Sequence, residues 1–225
     1  MQTLDDSGKA ANTVIIFVGD HGPPFARGKT TVYESGLRVP FFLRWPGVTK
    51  AGAVSDRMVS TVDILPTILD AIGAPAPQGL HGDSLRNAVT GGKWREFLAA
   101  EFHFHGARPF FPRRAIRDGR YKLIHNLLAG KAKPSSTIDG DLAYQYSRAA
   151  KYDGTAVRRA FDTFADPPEF ELYDLSRDPI EFENLAAGKQ HAAALQRMQR
   201  ALLQWRTQTG DPLLDASVLE KMVRE

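Results

Sequence analysis

The feature that most constrains the fold is a six-residue run, Thr13–Val18 (TVIIFV), bounded by Asn12 and Gly19. Continuous β-branched and aromatic residues of this length read as a strand buried on both faces, the usual state of a parallel strand in an α/β sheet. A second run, Val39–Trp45 (VPFFLRW), reads as another strand, with Pro40 suited to its start or to a sheet edge. The connection between them carries Gly22, Pro23, Pro24, Gly28 and Gly36. It is too long for a tight hairpin, and long ordered loops carry function more often than short ones. The two runs are therefore expected as neighbours in a mainly parallel sheet. Residues 1–11 are polar and suit the tail of a helix feeding the first strand. They lack the charged and apolar regions of a signal peptide, and no stretch approaches a membrane span.

Ser60-Thr-Val-Asp63 starts a helix: Ser60 can cap the backbone N–H groups near Asp63, and Asp63 favours the positive end of the helix. Val62, Ile64, Leu65, Ile68, Leu69 and Ile72 give it a broad apolar face. Pro66 is early enough to be tolerated, and Gly73 ends it. After Gly91-Gly92 the pattern changes to short strands: Phe97–Phe104, Arg114–Arg117, Tyr121–His125 and Phe170–Leu175. Asp118-Gly119 is a turn signal between the second and third. Ile138–Phe164 reads as helix interrupted by Gly140 and Gly154. Gln190–Thr207 is the clearest helix, with Leu195, Met198, Leu202 and Trp205 on one stripe and Gly210 beyond its end. The chain divides into an α/β part, residues 1–92, and a smaller α+β part, residues 93–225, whose sheet is backed by the last long helix.

Composition narrows the chemistry. With no cysteine, a disulfide framework, a thiolate zinc site and a cysteine nucleophile are excluded. Lys and Arg number 29 against 26 Asp and Glu, a small excess spread along the chain, which implies a mildly basic surface and no nucleic-acid partner. Asp20 and His21 directly follow the first strand, and ligands of α/β sheets gather at strand carboxyl ends. A carboxylate and an imidazole there suit a divalent cation; Asp-His-Gly also suits a plain turn. Arg27 and Lys29 follow. A cation in this place suits an anionic oxyacid, and it also suits a solvated loop. Glu101-Phe-His-Phe-His105 alternates, so His103 and His105 share one strand face, either lining a pocket with Arg114 or facing solvent. His125 reads as a packing residue, and Arg38 and Arg44 as surface charge or ion pairs.

Residues 17–41 (FVGDHGPPFARGKTTVYESGLRVPF) closely resemble a block of the sulfatases, within the alkaline phosphatase-like superfamily. Ser60–Leu69, Leu80-His-Gly-Asp-Ser-Leu85 and Glu171–Leu185 (ELYDLSRDPIEFENL) resemble further blocks in the same order. The Pro24-Phe25 and Gly28-Lys29-Thr30 pattern, Arg114–Leu127 (RAIRDGRYKLIHNL) and Trp205 with Thr209-Gly-Asp-Pro212 are similar to the heparan N-sulfatases, or sulfamidases. The resemblance implies the C-terminal portion of an alkaline phosphatase-like α/β sandwich with a smaller α+β subdomain. It implies hydrolysis of sulfate esters or sulfamates of N-sulfoglucosamine-like sugars and glycosaminoglycans, and a periplasmic, secreted or lysosomal setting.

By the same resemblance Asp20 and His21 match ligands of a single Ca2+ ion, Lys29 matches the sulfate contact, and His103, His105 and Arg114 fall in the substrate region. The pattern departs in two places. The family's formylglycine motif, C/S-x-P-x-R, does not occur; Ser135 and Ser136 lack its context. The family's first Asp-Asp metal pair has no counterpart, since Asp5-Asp6 follows no apolar strand. The chain thus resembles only the C-terminal part of a sulfatase and is expected to be inactive alone. A non-catalytic carbohydrate-binding or structural fragment, and a phosphodiesterase or phosphonate hydrolase of the same superfamily, are the alternative readings.

Overall fold

The TVIIFV run forms strand β1, Ile15–Val18, and the second run forms β2, Phe41–Arg44. A computed structural model describes residues 1–106, 109–134 and 142–224 of the chain. The two strands are antiparallel, with Ile15 opposite Arg44 and Val18 opposite Phe41, and this corrects the expected parallel pairing. The reason is the route of the connection. It leaves and returns at one end, where the Gly19 N–H donates to Pro40 O at 3.0 Å, whereas a parallel pair needs a crossover to the opposite end. Nor is the run buried on both faces: Phe17 and Phe42 are 61% and 65% exposed, side by side with ring centroids 5.9 Å apart. Among the described residues this sheet has two strands.

The chain divides into two compact units, one of residues 1–20 and 39–98, the other of residues 21–38 and 99–225. The first contains α1 (Gln2–Asp6), the β1–β2 pair, and the helix expected after Ser60. A 3-10 turn, Thr61–Asp63, is closed by the reciprocal Ser60–Asp63 capping box and continues into a longer helix, Ile64–Ala71. Asp63 is fully buried. It accepts from the Ser60 N–H (2.8 Å), from the Asp83 N–H (3.0 Å) and from both terminal nitrogens of Arg95. Thr67 Oγ1 accepts from the Leu85 N–H at 2.9 Å. Gly82 is required here, because a Cβ would lie 2.1 Å from Val62 O. The Leu80–Leu85 turn is thus a clasp on the helix start. The buried side of that helix is Pro66 and Thr67, while Val62, Leu65, Ile68 and Ile72 remain exposed, so the apolar face in the sequence is wider than the one this unit covers.

The second unit begins with a loop holding α2 (Glu34–Leu37); Ile64–Ala71 and Arg86–Thr90, in the first unit, are α3 and α4. A four-stranded sheet follows, in the order β3 (Leu98–Phe102), β4 (Arg113–Arg117), β5 (Tyr121–Asn126), β6 (Phe170–Asp174). The β4–β5 and β5–β6 pairs are antiparallel. The Asp118-Gly119 signal is a real turn: Asp118 Oδ1 accepts from the N–H groups of Arg120 (2.7 Å) and Tyr121 (2.6 Å). Helices α5 (Leu142–Ser147) and α6 (Ala156–Ala165) replace the single interrupted helix, and residues 138–141, with Ser135 and Ser136, lie outside the described residues. Helix α7, Ala192–Gln208, packs on β4 and β5 through Met198, Leu202 and Arg206, as expected, and α8 (Ala216–Arg224) follows. No helix among the described residues is long and apolar enough to cross a membrane.

Strand alternation gives this sheet two different faces. The register places Arg113, Ala115, Arg117, Lys122, Ile124, Asn126, Glu171 and Tyr173 on one, and Arg114, Ile116, Leu123, His125 and Leu172 on the other. The first packs with Val32, Tyr33 and Phe164 in the core. On the second, Asp211 holds the α7 end in place. It accepts Arg114 Nε and Nη2 at 2.8 Å each and Arg206 Nε at 2.6 Å, and it caps the 3-10 turn Pro212–Leu214. Burial alone would raise the Asp211 pKa, but these bonds hold its carboxyl well below the usual range. His125 stacks on Phe170 at 4.5 Å, which bears out its packing role. Burial, then Arg206 and Arg114, lower its pKa to about 4.

Asp211→Ala leaves two buried guanidinium groups without their carboxylate, and should cost about 3 to 5 kcal/mol in a urea denaturation series. The His125 contribution has a definite sign. The unfolded chain binds this proton near pH 6.5 and the folded chain only near 4. Stability is therefore full above pH 6.5 and declines as pH falls toward 4, by at most about 1.4 kcal/mol per pH unit. A His125→Gln variant should show a shallower decline over that window.

Candidate functional site

The residues expected to carry chemistry lie in and around the loop that follows β1. Asp20 is exposed at the end of the first unit. His21, next in the chain, opens the second unit; it is exposed, with Nδ1 2.7 Å from Gly22 O. The loop then closes on itself. The Gly22 N–H donates to Gly36 O at 3.0 Å, and a Cβ on Gly22 would lie 1.7 Å from Ser35 O. Gly28 lets the chain fold back, as its place in the sequence suggests: a Cβ there would lie 2.2 Å from Pro23 O. The Lys29 N–H donates to that same carbonyl at 2.9 Å, which brings the Lys29 backbone beside the start of the loop. Arg27 and Thr30 both have φ of 66°, so Lys29 stands in a turn between two left-handed residues, with its side chain half-buried. Non-glycine residues hold that conformation only where their surroundings enforce it.

The surroundings are the polar face of the four-stranded sheet. Arg27, read from sequence as a cation offered to an anion or to solvent, is instead 4% exposed. Its guanidinium donates to the carbonyls of Ala160 (3.2 Å), Ile180 (3.2 Å) and Glu181 (2.5 Å) and lies 3.9 Å above the Tyr33 ring. Tyr33 Oη donates to Glu171 Oε2 at 2.7 Å; Tyr173 Oη and Asn126 Nδ2 donate to the same carboxylate at 2.5 and 2.8 Å. Burial and the Glu171 charge push both tyrosine hydroxyls far above their ordinary pKa. Lys122 Nζ sits 3.0 Å from Glu34 Oε1 and 3.0 Å from Glu181 Oε1, and Arg117 also bonds Glu34. The Glu34 N–H donates to Glu181 Oε2 at 2.6 Å. Burial raises the Glu181 pKa, with Lys122 acting against it.

Sequence reading missed Tyr33, Glu34, Lys122, Glu171 and Glu181. A signal was available for two of them: Lys122 is in phase with Ile124, and Glu171 with Tyr173, so a charge shares the apolar side of each strand. Glu181 has positive φ and lies in an irregular segment where no periodicity marks it.

The other candidates are placed differently. Strand β3 stops at Phe102, so the pleat does not extend through His103 and His105, and the shared face expected for them does not form. His103 is half-buried, its carbonyl accepting from the Phe111 N–H at 2.9 Å and its ring edge-on to Phe110 at 5.9 Å. Burial and Arg114 lower its pKa. His105 is exposed. Arg114 is buried on the α7 face, with its fork on Asp211 and with Glu101 at 3.3 Å, whereas the Lys29 loop rests on the opposite face. Among the described residues, no group of three or more His, Asp or Glu side chains is arranged to hold a metal ion.

Residues 19–133 match the family described as N-sulphoglucosamine sulphohydrolase, C-terminal. An ulvan-active sulfatase of Formosa agariphila is 31% identical over 214 residues, covering 94% of this chain and 36% of that protein. Human N-sulphoglucosamine sulphohydrolase is 31% identical over 240 residues, covering 98% and 47%. The chain therefore spans between about a third and a half of the length of these relatives. Among solved structures, a complex with the substrate D-glucosamine-2-N,6-O-disulfate superposes with a TM-score of 0.69 at 24% identity, over 93% of this chain and 37% of the other. The phosphonate monoester hydrolase of Agrobacterium radiobacter gives 0.65 at 26%, over 92% and 38%. The fold is that of the alkaline phosphatase-like sulfatases, and the match over residues 19–133 makes the chain a member of the N-sulphoglucosamine sulphohydrolase C-terminal family of sulfatases.

Proposed function

We propose that this chain furnishes the C-terminal part of a sulfatase that hydrolyses sulfate esters or sulfamates of glucosamine-type sugars, with residues 1–92 belonging to the catalytic domain and residues 93–225 forming its C-terminal subdomain. The observation that carries the reading is the Lys29 turn. A half-buried lysine stands between two left-handed residues with its backbone tied to Pro23, so the base of its side chain is held in a fixed place. A cation carried from such a base stabilises charge that builds on the non-bridging oxygens of a sulfuryl group, and the loop itself need not rearrange to offer it. His103 and His105 are the residues offered to the sugar. Arg114, spoken for by Asp211, contributes by holding the start of β4.

By the family resemblance a metal ion serves this site, and the ion proposed here is calcium. Asp20 and His21 would hold it, with chemistry limited to neutralising the sulfate. They do not fit a complete site by themselves: calcium takes six to eight oxygen ligands, and among the described residues no group of three or more candidate side chains forms. The nucleophile likewise has no candidate in this sequence, since no C/S-x-P-x-R occurs.

Two measurements test the reading. Calcium titration of the 225-residue chain should give a Kd weaker than about 1 mM, the weak end of protein calcium sites; micromolar binding would show that the chain builds a full site from donors not recognised here. With calcium present, neither an aryl sulfate nor N-sulfoglucosamine should turn over above a no-enzyme control, and calcium-dependent turnover would overturn the assignment of the nucleophile to another segment. In an active sulfatase carrying this chain, Lys29→Ala should lower kcat by about 10²- to 10³-fold, the usual effect of one lost oxyanion donor. Equal loss against a phosphonate monoester, with sulfate the poorer substrate in the parent enzyme, would favour the phosphonate hydrolase reading.

A further inference from the structure

The Lys29 turn depends on a residue that the sulfate itself would not touch. Arg27 lies two positions before Lys29 and is almost wholly buried. Its side chain leaves the loop and ends in the second unit's interior, on the carbonyls of Ala160 at the middle of α6 and of Ile180 and Glu181 after β6. Two rings lie against it: Tyr33 at 3.9 Å and Phe182 at 5.5 Å. The backbone of Arg27 is tied as firmly as its side chain. Its carbonyl accepts from Thr31 Oγ1 at 2.9 Å and from Ser35 Oγ, and the Thr31 hydroxyl also reaches Gly28 O at 2.7 Å. Gly36 presses on the same turn, since a Cβ there would lie 2.3 Å from Gly28 O. Between Arg27 and Thr30 the chain therefore has little freedom, and the Lys29 Cα is set by the Arg27 anchor.

We propose that Arg27 is a positioning residue for Lys29: its buried guanidinium locks the turn whose left-handed ends, Arg27 and Thr30, aim the lysine amine. The role needs a guanidinium. A planar fork can satisfy three carbonyls on two segments while it rests against aromatic rings, whereas an ammonium is a compact, strongly hydrated charge without a planar face. An apolar side chain would fill the volume and leave those carbonyls, and the left-handed backbone at Arg27, without their restraint. That Lys29 meets sulfate rests on the function proposed above; that Arg27 sets the turn does not.

The test uses the whole 225-residue chain, 15N-labelled, with amide hydrogen exchange and titration with sodium sulfate followed at each backbone amide. The Gly22, Gly28 and Lys29 amides report on the turn, because their acceptors are Gly36, Phe25 and Pro23 of the same loop. Arg27→Lys should speed exchange at these amides by about tenfold or more while the β5 and α7 amides keep their rates, the pattern of local opening. It should also abolish the sulfate-induced shifts at Lys29 and Thr30, with thermal stability of the unit retained. Phe182→Leu removes one ring from the guanidinium and keeps its hydrogen bonds; it should accelerate the same amides to a smaller degree, and it carries the test if Arg27→Lys does not fold. Unchanged exchange at Gly28 and Lys29, or acceleration spread equally over β5 and α7, overturns the inference. Lys29→Ala separates the two readings: if the sulfate response survives that substitution, the sulfate assignment falls, and the exchange result still decides the role of Arg27.

Discussion

One face of the four-stranded sheet carries charges among its apolar residues, and the rest of the second unit answers to that fact. Lys122 is 1% exposed and Glu171 fully buried, and they point the same way as Ala115, Ile124 and Tyr173. A purely apolar cover would strand these groups, and an isolated buried charge is far costlier than a buried hydrocarbon. The loop of residues 21–38 supplies a matched cover. Tyr33 meets Glu171, Glu34 meets Lys122 and Arg117, and Arg27 adds the carbonyls beyond. Sheet and loop fix each other because each is left with unpaired charge without the other. The opposite face solves a similar problem with fewer parts, one carboxylate, Asp211, serving Arg114, Arg206 and the cap of a 3-10 turn.

What the sequence conveyed best was local chemistry closed within a few residues. The Ser60–Asp63 cap, the Asp118-Gly119 turn and the long final helix each depend on neighbours in the chain, and each forms where expected. Strand direction was not legible, because an apolar run reads alike in either orientation, and the route of the connection between β1 and β2 decides it. The extent of burial failed for the same strands: Phe17 belongs to a run that looks interior, yet its ring lies open beside Phe42. His103 and His105 show how a pattern misleads at a strand end, where alternation in sequence outlasts the pleat.

For the candidate site, Asp20, His21 and Lys29 stood out because their residue types and their place after a strand speak of chemistry. The residues that hold them did not. Arg27 and Lys29 are two cations two positions apart in one glycine-rich loop, and composition treats them alike. One is sealed under a tyrosine ring and the other lies half open. The distinction comes from Ala160, Ile180 and Glu181, more than 130 residues away, and no local reading of the loop contains them. Arg114 is the converse case: a basic residue near two histidines suggests a substrate contact, until Asp211 claims both sides of its fork.

The distance between Arg27 and its acceptors also sets an order in time. Arg27 and Glu181 are separated by 154 positions. A chain made at about 5–20 residues per second releases the second of these roughly 8 to 30 s after the first. Until then the Arg27 guanidinium must stay hydrated and the loop must wait, although β2, the partner of β1, is made within a second or so of leaving the loop. The turn that carries Lys29 is therefore among the last parts of the molecule to take shape, and a nascent chain halted before β6 has the strands that flank the loop but not the surface that folds it.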